Sequence, residues 1–164
     1  MVDHSELYDH AKQYVVECAR KRLRITRSIG FGEDGHVWAT NQNTAIKAFE
    51  RATNYNTESL CYERLVQAGI RSIDSFVIPK FLGKDDRVLV IEMTLVTPPY
   101  FLDFGKAHLD QPFEFEAGGY ELWDQECSDR YEPDEWVLVK KSLLRLQSIG
   151  IYYYDAKPGN VRLE

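Results

Sequence analysis

No apolar run in this sequence approaches the 18 or so residues that a bilayer-spanning helix needs. The opening MVDHSELYDH has neither the basic stretch nor the apolar stretch of a secretion signal. Both absences lead us to expect a soluble, cytoplasmic protein with no membrane partner. Cysteine is scarce: Cys18, Cys61 and Cys127 are odd in number, widely spaced and outside any Cys-x-x-Cys or Cys/His pattern. That argues against a disulfide framework or a zinc site and leaves them as buried or idle thiols. Internal repeats and low-complexity tracts are missing too. What is present is globular: 164 residues, 44% apolar and 13% aromatic, outside the ranges of disordered, collagen-like and coiled-coil chains. A chain this long removes about 70% of its unfolded surface from water, enough for one domain or for two small lobes sharing a cleft.

Charge is unevenly placed around a net value of −6. Arg20 to Arg27 holds five basic residues in eight, whereas Asp103 to Glu135 holds eleven acids against Lys106 and Arg130. The acidic half argues against a nucleic-acid partner. In the basic run, Arg20, Lys21 and Arg22 are read as complementing a helix C-terminus, with the later arginines facing solvent from a strand, ahead of a phosphate-binding or partner patch.

After Ser5, a candidate N-cap, the apolar positions Leu7, Tyr8, Ala11, Tyr14, Val15 and Cys18 recur at helical spacing and predict a helix ending near Arg22. From Leu23 the stretches LRITRSIGF, GHVWAT and NTAIKAF, parted by Gly-Glu-Asp-Gly and Asn-Gln-Asn, predict a three-stranded antiparallel meander. Thr57 is expected to cap a second helix that ends at Gly69. FVIPKFLG and RVLVIEMTL then read as two more strands joined by Lys-Asp-Asp. Five strands and one helix by Leu95 make an α+β layer. From Thr97 to Tyr131, Pro98-Pro99 and Gly118-Gly119 break any period, and short helices and turns are expected, with YFLDF extended. Pro133 opens a strongly apolar helix running to Gly150, and IYYYDAKPGNVRLE reads as a loop followed by a short strand.

Three motifs carry the chemistry. Gly30-Phe31-Gly32-Glu33-Asp34-Gly35-His36-Val37 matches G-x-G-x-x-G-x-V. Alone this is weak, because it also serves dinucleotide folds, where it lies between a strand and a helix; here it lies between two strands. Ala45-Ile46-Lys47 follows on the third strand, and Glu58 or Glu63 on the next helix could meet Lys47, Glu58 having the better spacing to the inward face. Third, Asp155-Ala156-Lys157-Pro158-Gly159-Asn160 matches D-x-K-P-x-N after a long helix.

In this order and context the three motifs resemble those of protein kinases, in particular compact bacterial kinase-like proteins, over nearly the whole chain. The resemblance implies an α+β, protein kinase-like fold with an antiparallel five-stranded N-lobe plus one helix and a mainly helical C-lobe. Residues 1–22 would form an N-terminal helix, 23–95 the N-lobe and 96–164 the hinge and C-lobe. It implies ATP and Mg²⁺ as cofactors. The backbone at Gly30, Gly32 and Gly35 would approach the phosphates, Lys47 would contact the α- and β-phosphates, and Glu58 would pair with Lys47. The adenine would lie under Val37 and Ala45, with Ile91 as gatekeeper and the backbone of Glu92 and Thr94 as hinge. Asp155 would accept the proton of an attacking hydroxyl, Lys157 would steady the γ-phosphate and Asn160 would bind Mg²⁺.

Departures from the pattern are equally specific. No D-F-G follows Asn160 before the last residue, Glu164, so a C-lobe truncated after the catalytic loop is expected, and Tyr153 stands where the family has histidine. Asp103-Phe104-Gly105 does spell D-F-G, about fifty positions too early. Coincidence, or a ribose-contacting or packing role for Asp103, is favoured over a relocated metal ligand, and Asp103 is carried as the second metal candidate beside Asn160. Tyr152, Tyr153, Tyr154, Trp123 and Trp136 are assigned to packing; His36, His108, Ser59 and Ser148 receive no role. Two readings follow: a minimal kinase acting on a protein or small-molecule hydroxyl, or a pseudokinase that senses nucleotide or binds partners without phosphotransfer. A shortened helical lobe would expose apolar surface, so a homodimer or a protein partner is expected.

Overall fold

Helix α1 (His4–Glu17) places Leu7, Ala11 and Tyr14 on one buried stripe, the spacing of a single helix face. The computed structural model describes residues 4–18 and 22–164. The helix stops short of the expected Arg22, where the backbone is left-handed with φ 69°. Arg20 and Lys21, and the role given to them, lie outside the described residues.

The expected meander forms as β1 (Ile25–Gly32), β2 (Gly35–Thr40) and β3 (Thr44–Phe49). Helix α2 runs over Ala52–Gln67, so Thr57 lies inside it and caps nothing. Tyr55 explains the earlier start: it is buried against Phe49, ring centroids 5.6 Å apart, and draws the first turn onto the sheet. The stretch FVIPKFLG is not one strand. After β4 (Ser72–Ile73), its first half forms β5 (Phe76–Val77), and beyond Pro79, which has no N–H to donate, the chain crosses to β6 (Phe81–Asp85) in another sheet. Strand β7 is Val90–Thr94. It starts later than expected because the Asp85 carboxylate accepts the Arg87 N–H at 2.9 Å and holds the turn.

The main sheet has the order β1-β2-β3-β7-β6, antiparallel throughout. Strand β3 is buried along its whole length and splits by alternation. Ile46 and Ala48 join the α1 side with Leu7, Ala11 and Tyr14. Ala45 and Phe49 join the larger core with Tyr62, Leu65, Phe104 and Tyr153, and Lys47 points the same way.

The rest is two helices tied together by short strands. Strand β8 is Tyr100–Phe101, a 3-10 turn covers Phe104–Lys106, and β9 is His108–Leu109. Helix α3 is Gly119–Ser128 and α4 is Pro133–Gln147, with Pro133 in the first turn as expected. Strands β10 (Ile151–Tyr152) and β11 (Val161–Arg162) bracket the D-x-K-P-x-N loop. Strand β11 pairs with β8, and β10 pairs with β9. The segment holding Asp103-Phe104-Gly105 is therefore fastened on both sides to the strands around Asp155–Asn160. Four of the assigned packing aromatics do pack: Tyr153 is buried between Phe101 and Phe104, and Trp123 meets both Trp136 and Tyr154. Among the described residues no helix is long and apolar enough to cross a membrane.

Candidate nucleotide-binding site

A cavity of about 770 Å³ opens beneath the β1–β2 hairpin, within the size range of small-molecule sites. A Cβ on Gly30 or Gly32 would meet nothing within 4 Å, so these two glycines leave open space under the roof. Gly35 is different: its φ is 144°, and a Cβ there would sit 2.1 Å from the Ala48 carbonyl oxygen, so the sheet itself demands this glycine. Val37 and Ala45 also line the cavity.

Of the expected gatekeeper and hinge residues on β7, Ile91, Glu92 and Thr94, Thr94 alone lines the cavity. Ile91 is paired with Lys47 and buried in the core, away from the cavity wall; two residues on, Met93, paired with Ala45, lines the cavity instead. Glu92 cannot present its backbone to a base, because β3 and β6 flank it on both sides. Its side chain faces α1, accepting hydrogen bonds from Tyr14 Oη at 2.9 Å and Thr44 Oγ1 at 2.6 Å. Thr94 lines the cavity, but its N–H is spent on the Lys80 carbonyl at 3.0 Å. Leu95 and Val96 continue the wall. Opposite them stand Tyr100 and Leu102, which sequence spacing did not single out.

At the charged end Lys47 Nζ donates to Glu58 Oε2 at 2.7 Å and to Asp103 Oδ1 at 2.8 Å. Glu63, the competing partner, points elsewhere and pairs with Lys84 at 3.1 Å. Burial alone would lower the Lys47 pKa, but the two carboxylates outweigh it and the net shift is upward. Burial pushes Glu58 upward, opposed by Lys47 and reinforced by Asp103. For Asp103 burial again works to raise the pKa and is overcome, chiefly by Lys47 with help from Lys157 and Lys106, so the net shift is downward.

Asp103 meets Lys47 because its own backbone is left-handed, φ 62° and ψ 70°, a conformation that aspartate tolerates better than most residues. The turn sends Phe104 into the core against Tyr62, centroids 5.6 Å apart, while the carboxylate stays in the cavity. Two hydrogen bonds lock this segment to the catalytic-loop candidate: Leu102 N–H to the Asn160 carbonyl at 2.8 Å, and Tyr153 Oη to the Leu102 carbonyl at 2.9 Å. Asp103 of the early D-F-G thus lines the same cavity as Lys47, Lys157 and Asn160.

In the loop itself, Asp155 Oδ2 accepts from Lys157 Nζ at 3.2 Å and from Asn160 Nδ2 at 3.0 Å. Lys157 and Asn160 line the cavity; Asp155 does not. Among the described residues no group of three or more His, Cys, Asp or Glu side chains could hold a metal ion. With Nδ2 of Asn160 committed to Asp155, its amide oxygen and the second carboxylate oxygen of Asp103 are the candidate ligand atoms beside Lys47 and Lys157. Two protein oxygens suit Mg²⁺ that arrives with phosphates, because that ion keeps few protein ligands and takes the rest from substrate and water.

No family model matches the sequence, and no curated protein matches it. Among solved structures, the streptomycin–ATP–APH(2'')-IIa ternary complex overlaps 86% of this chain at 16% identity with a TM-score of 0.44. ADP-bound aminoglycoside phosphotransferase APH(2'')-Ib overlaps 85% at 17% identity with a TM-score of 0.42. The gentamicin–APH(2'')-IIa complex overlaps 86% at 18% identity, also at 0.42. This chain spans 39% of the length of each. Overlap of this extent leaves the chemistry to be read from the side chains.

Proposed function

We propose that this chain binds ATP with Mg²⁺ in the cavity under the β1–β2 hairpin and transfers the γ-phosphoryl group to a hydroxyl acceptor. The observation that carries this is Lys47, bridged between Glu58 and Asp103 in a cavity that Lys157 and Asn160 also line. The open backbone at Gly30 and Gly32 would admit the phosphates, and Lys47 would meet their charge. Met93 and Thr94 would flank the base. The Val96 N–H, which has no hydrogen bond among the described residues, would serve it as hinge donor. Mg²⁺ would be held by Asp103 and Asn160 and would neutralise charge developing between the β- and γ-phosphates.

Asp155 does not line the cavity, which suits a group that meets the acceptor rather than the nucleotide. In the transfer, the acceptor oxygen bonds to the γ-phosphorus as the bond to the β,γ-bridging oxygen breaks. The acceptor proton passes to Asp155, and ADP leaves. The alternative, a nucleotide-holding module without transfer, rests on a missing second metal ligand after Asn160 and a missing substrate-docking lobe; Asp103 beside Lys47 bears on the first of these and favours the enzyme.

Calorimetric titration with ATP, with and without Mg²⁺, tests the site, and phosphate transfer by wild type and Asp155→Asn tests the chemistry. A general base contributes about 10²–10⁴-fold, so the variant should transfer at least about a hundredfold more slowly. Equal rates would remove the phosphotransferase reading. Asp103→Asn should abolish the Mg²⁺ dependence of ATP binding; an unaltered dependence would remove Asp103 as a ligand.

A further inference from the structure

The hairpin that roofs the cavity carries two acids at its tip, Glu33 and Asp34, where a triphosphate lying beneath would be repelled. Their charge is met by a residue that motif reasoning passed over. Lys106, directly after Asp103-Phe104-Gly105, places Nζ 3.3 Å from Asp34 Oδ2 and 3.6 Å from Glu33 Oε2. All three residues line the cavity.

The partners in this cluster differ in how firmly they are held. Asp34 is 8% exposed; its Oδ1 accepts from the Asn54 side-chain amide on α2, and its carbonyl accepts the Glu50 N–H at 3.4 Å. The tip is therefore fixed to the sheet-and-helix layer without help from Lys106. The Lys106 side chain is 41% exposed on a flexible four-carbon stem. Lys47, in contrast, is buried and already paired with Glu58 and Asp103. The field of Lys106 also reaches both Asp103 and Asp155, the candidate metal ligand and the candidate base.

We propose that Lys106 is a phosphate-binding residue held in reserve by the hairpin tip: its ammonium group neutralises Asp34 and Glu33 in the arrangement seen here, and a triphosphate beneath the hairpin takes it over through its terminal oxygens. This rests on the nucleotide reading above and adds to it a residue that selects for the length of the phosphate chain. The exchange replaces carboxylate oxygens by phosphate oxygens around one ammonium group, so Lys106 never has to be stripped of partners. Asp34 stays fastened by Asn54 throughout, and the roof keeps its shape. A short nucleotide does not reach Lys106 and leaves it with the acids.

Titrations of the whole chain with Mg²⁺ and ATP, ADP or AMP test this on wild type, Lys106→Gln, Lys106→Arg and Asp34→Asn. A lost charge-assisted hydrogen bond is worth about tenfold or more in affinity. Lys106→Gln should therefore bind ATP at least about tenfold more weakly and AMP unchanged, and Lys106→Arg should restore the preference for ATP. Asp34→Asn should bind ATP several-fold more tightly, because asparagine keeps the acceptor for Asn54 and removes the competing charge. The opposite signs distinguish a reserve from a simple fastening. If both variants lose ATP affinity together, if Asp34→Asn leaves it unchanged, or if Lys106→Gln binds ATP as wild type does, the proposal fails while the nucleotide reading stands. A wild-type chain that binds none of the three nucleotides overturns both.

Discussion

Glu58 is a carboxyl group with almost no contact with water, and its titration has a readable sign. Burial lifts its pKa from the ordinary 4.5 to about 7, with Lys47 pulling the other way. The native chain thus holds a proton on Glu58 more tightly than the unfolded chain does. Its contribution to stability is fully present below about pH 4.5 and is lost as pH rises through about 7, amounting to at most about 3 kcal/mol. Asp85, Asp86, Asp103 and Asp110, whose pKa values are lowered, act with the opposite sign and only below their ordinary 3.8. Urea unfolding at pH 5 and pH 8 should therefore show a slope in wild type that Glu58→Gln flattens; an unchanged slope would refute the assignment. Lys47→Met leaves Glu58 and Asp103 facing each other without their shared cation. Breaking a buried pair in this way costs about 3–5 kcal/mol, which denaturant melts would register along with loss of ATP binding.

Elements decide which residues reach the cavity. The 3-10 turn is held against α2 by Phe104, fully buried against Tyr62, and the turn in turn presents Asp103 to Lys47. Phe104→Ala should cost about 3–5 kcal/mol of stability and should weaken ATP binding in protein that is still folded, because the carboxylate loses its anchor. Full-affinity binding by a destabilised Phe104→Ala would separate the turn from the site. The hairpin, Lys47 and the D-x-K-P-x-N loop were legible in the sequence because each is a local pattern, with residue types and strand context within a dozen positions. Several helix and strand ends were not legible. Tyr55 pulled α2 forward by packing across to Phe49, and the Asp85 turn delayed β7. Along β7 it is Met93, paired with Ala45, rather than Ile91, paired with Lys47, that lines the cavity, and the backbone of Glu92 is flanked by β3 and β6.

At the scale of the whole molecule, the least legible feature was the place of Asp103-Phe104-Gly105. Spacing along the chain put it fifty positions from the D-x-K-P-x-N loop, whereas the pairings β8–β11 and β9–β10 put it beside that loop. Such contacts depend on two-residue strands far apart in sequence, which carry no period to read. Val161, fully buried and paired with Phe101, is the test of this arrangement. Val161→Asp should place an unpaired charge in the core, lower the melting temperature by several degrees, and uncouple the Asp103 segment, so that Mg²⁺ no longer strengthens ATP binding at temperatures where the fold persists. Retained Mg²⁺ dependence would show that β8 is held by other means. The same fastening limits how such a site could be turned on and off. Between Gly105 and β9 lie only Lys106 and Ala107, so the floor has no slack with which to swing a strap aside, and control must come from the hairpin above or from chain beyond Leu109.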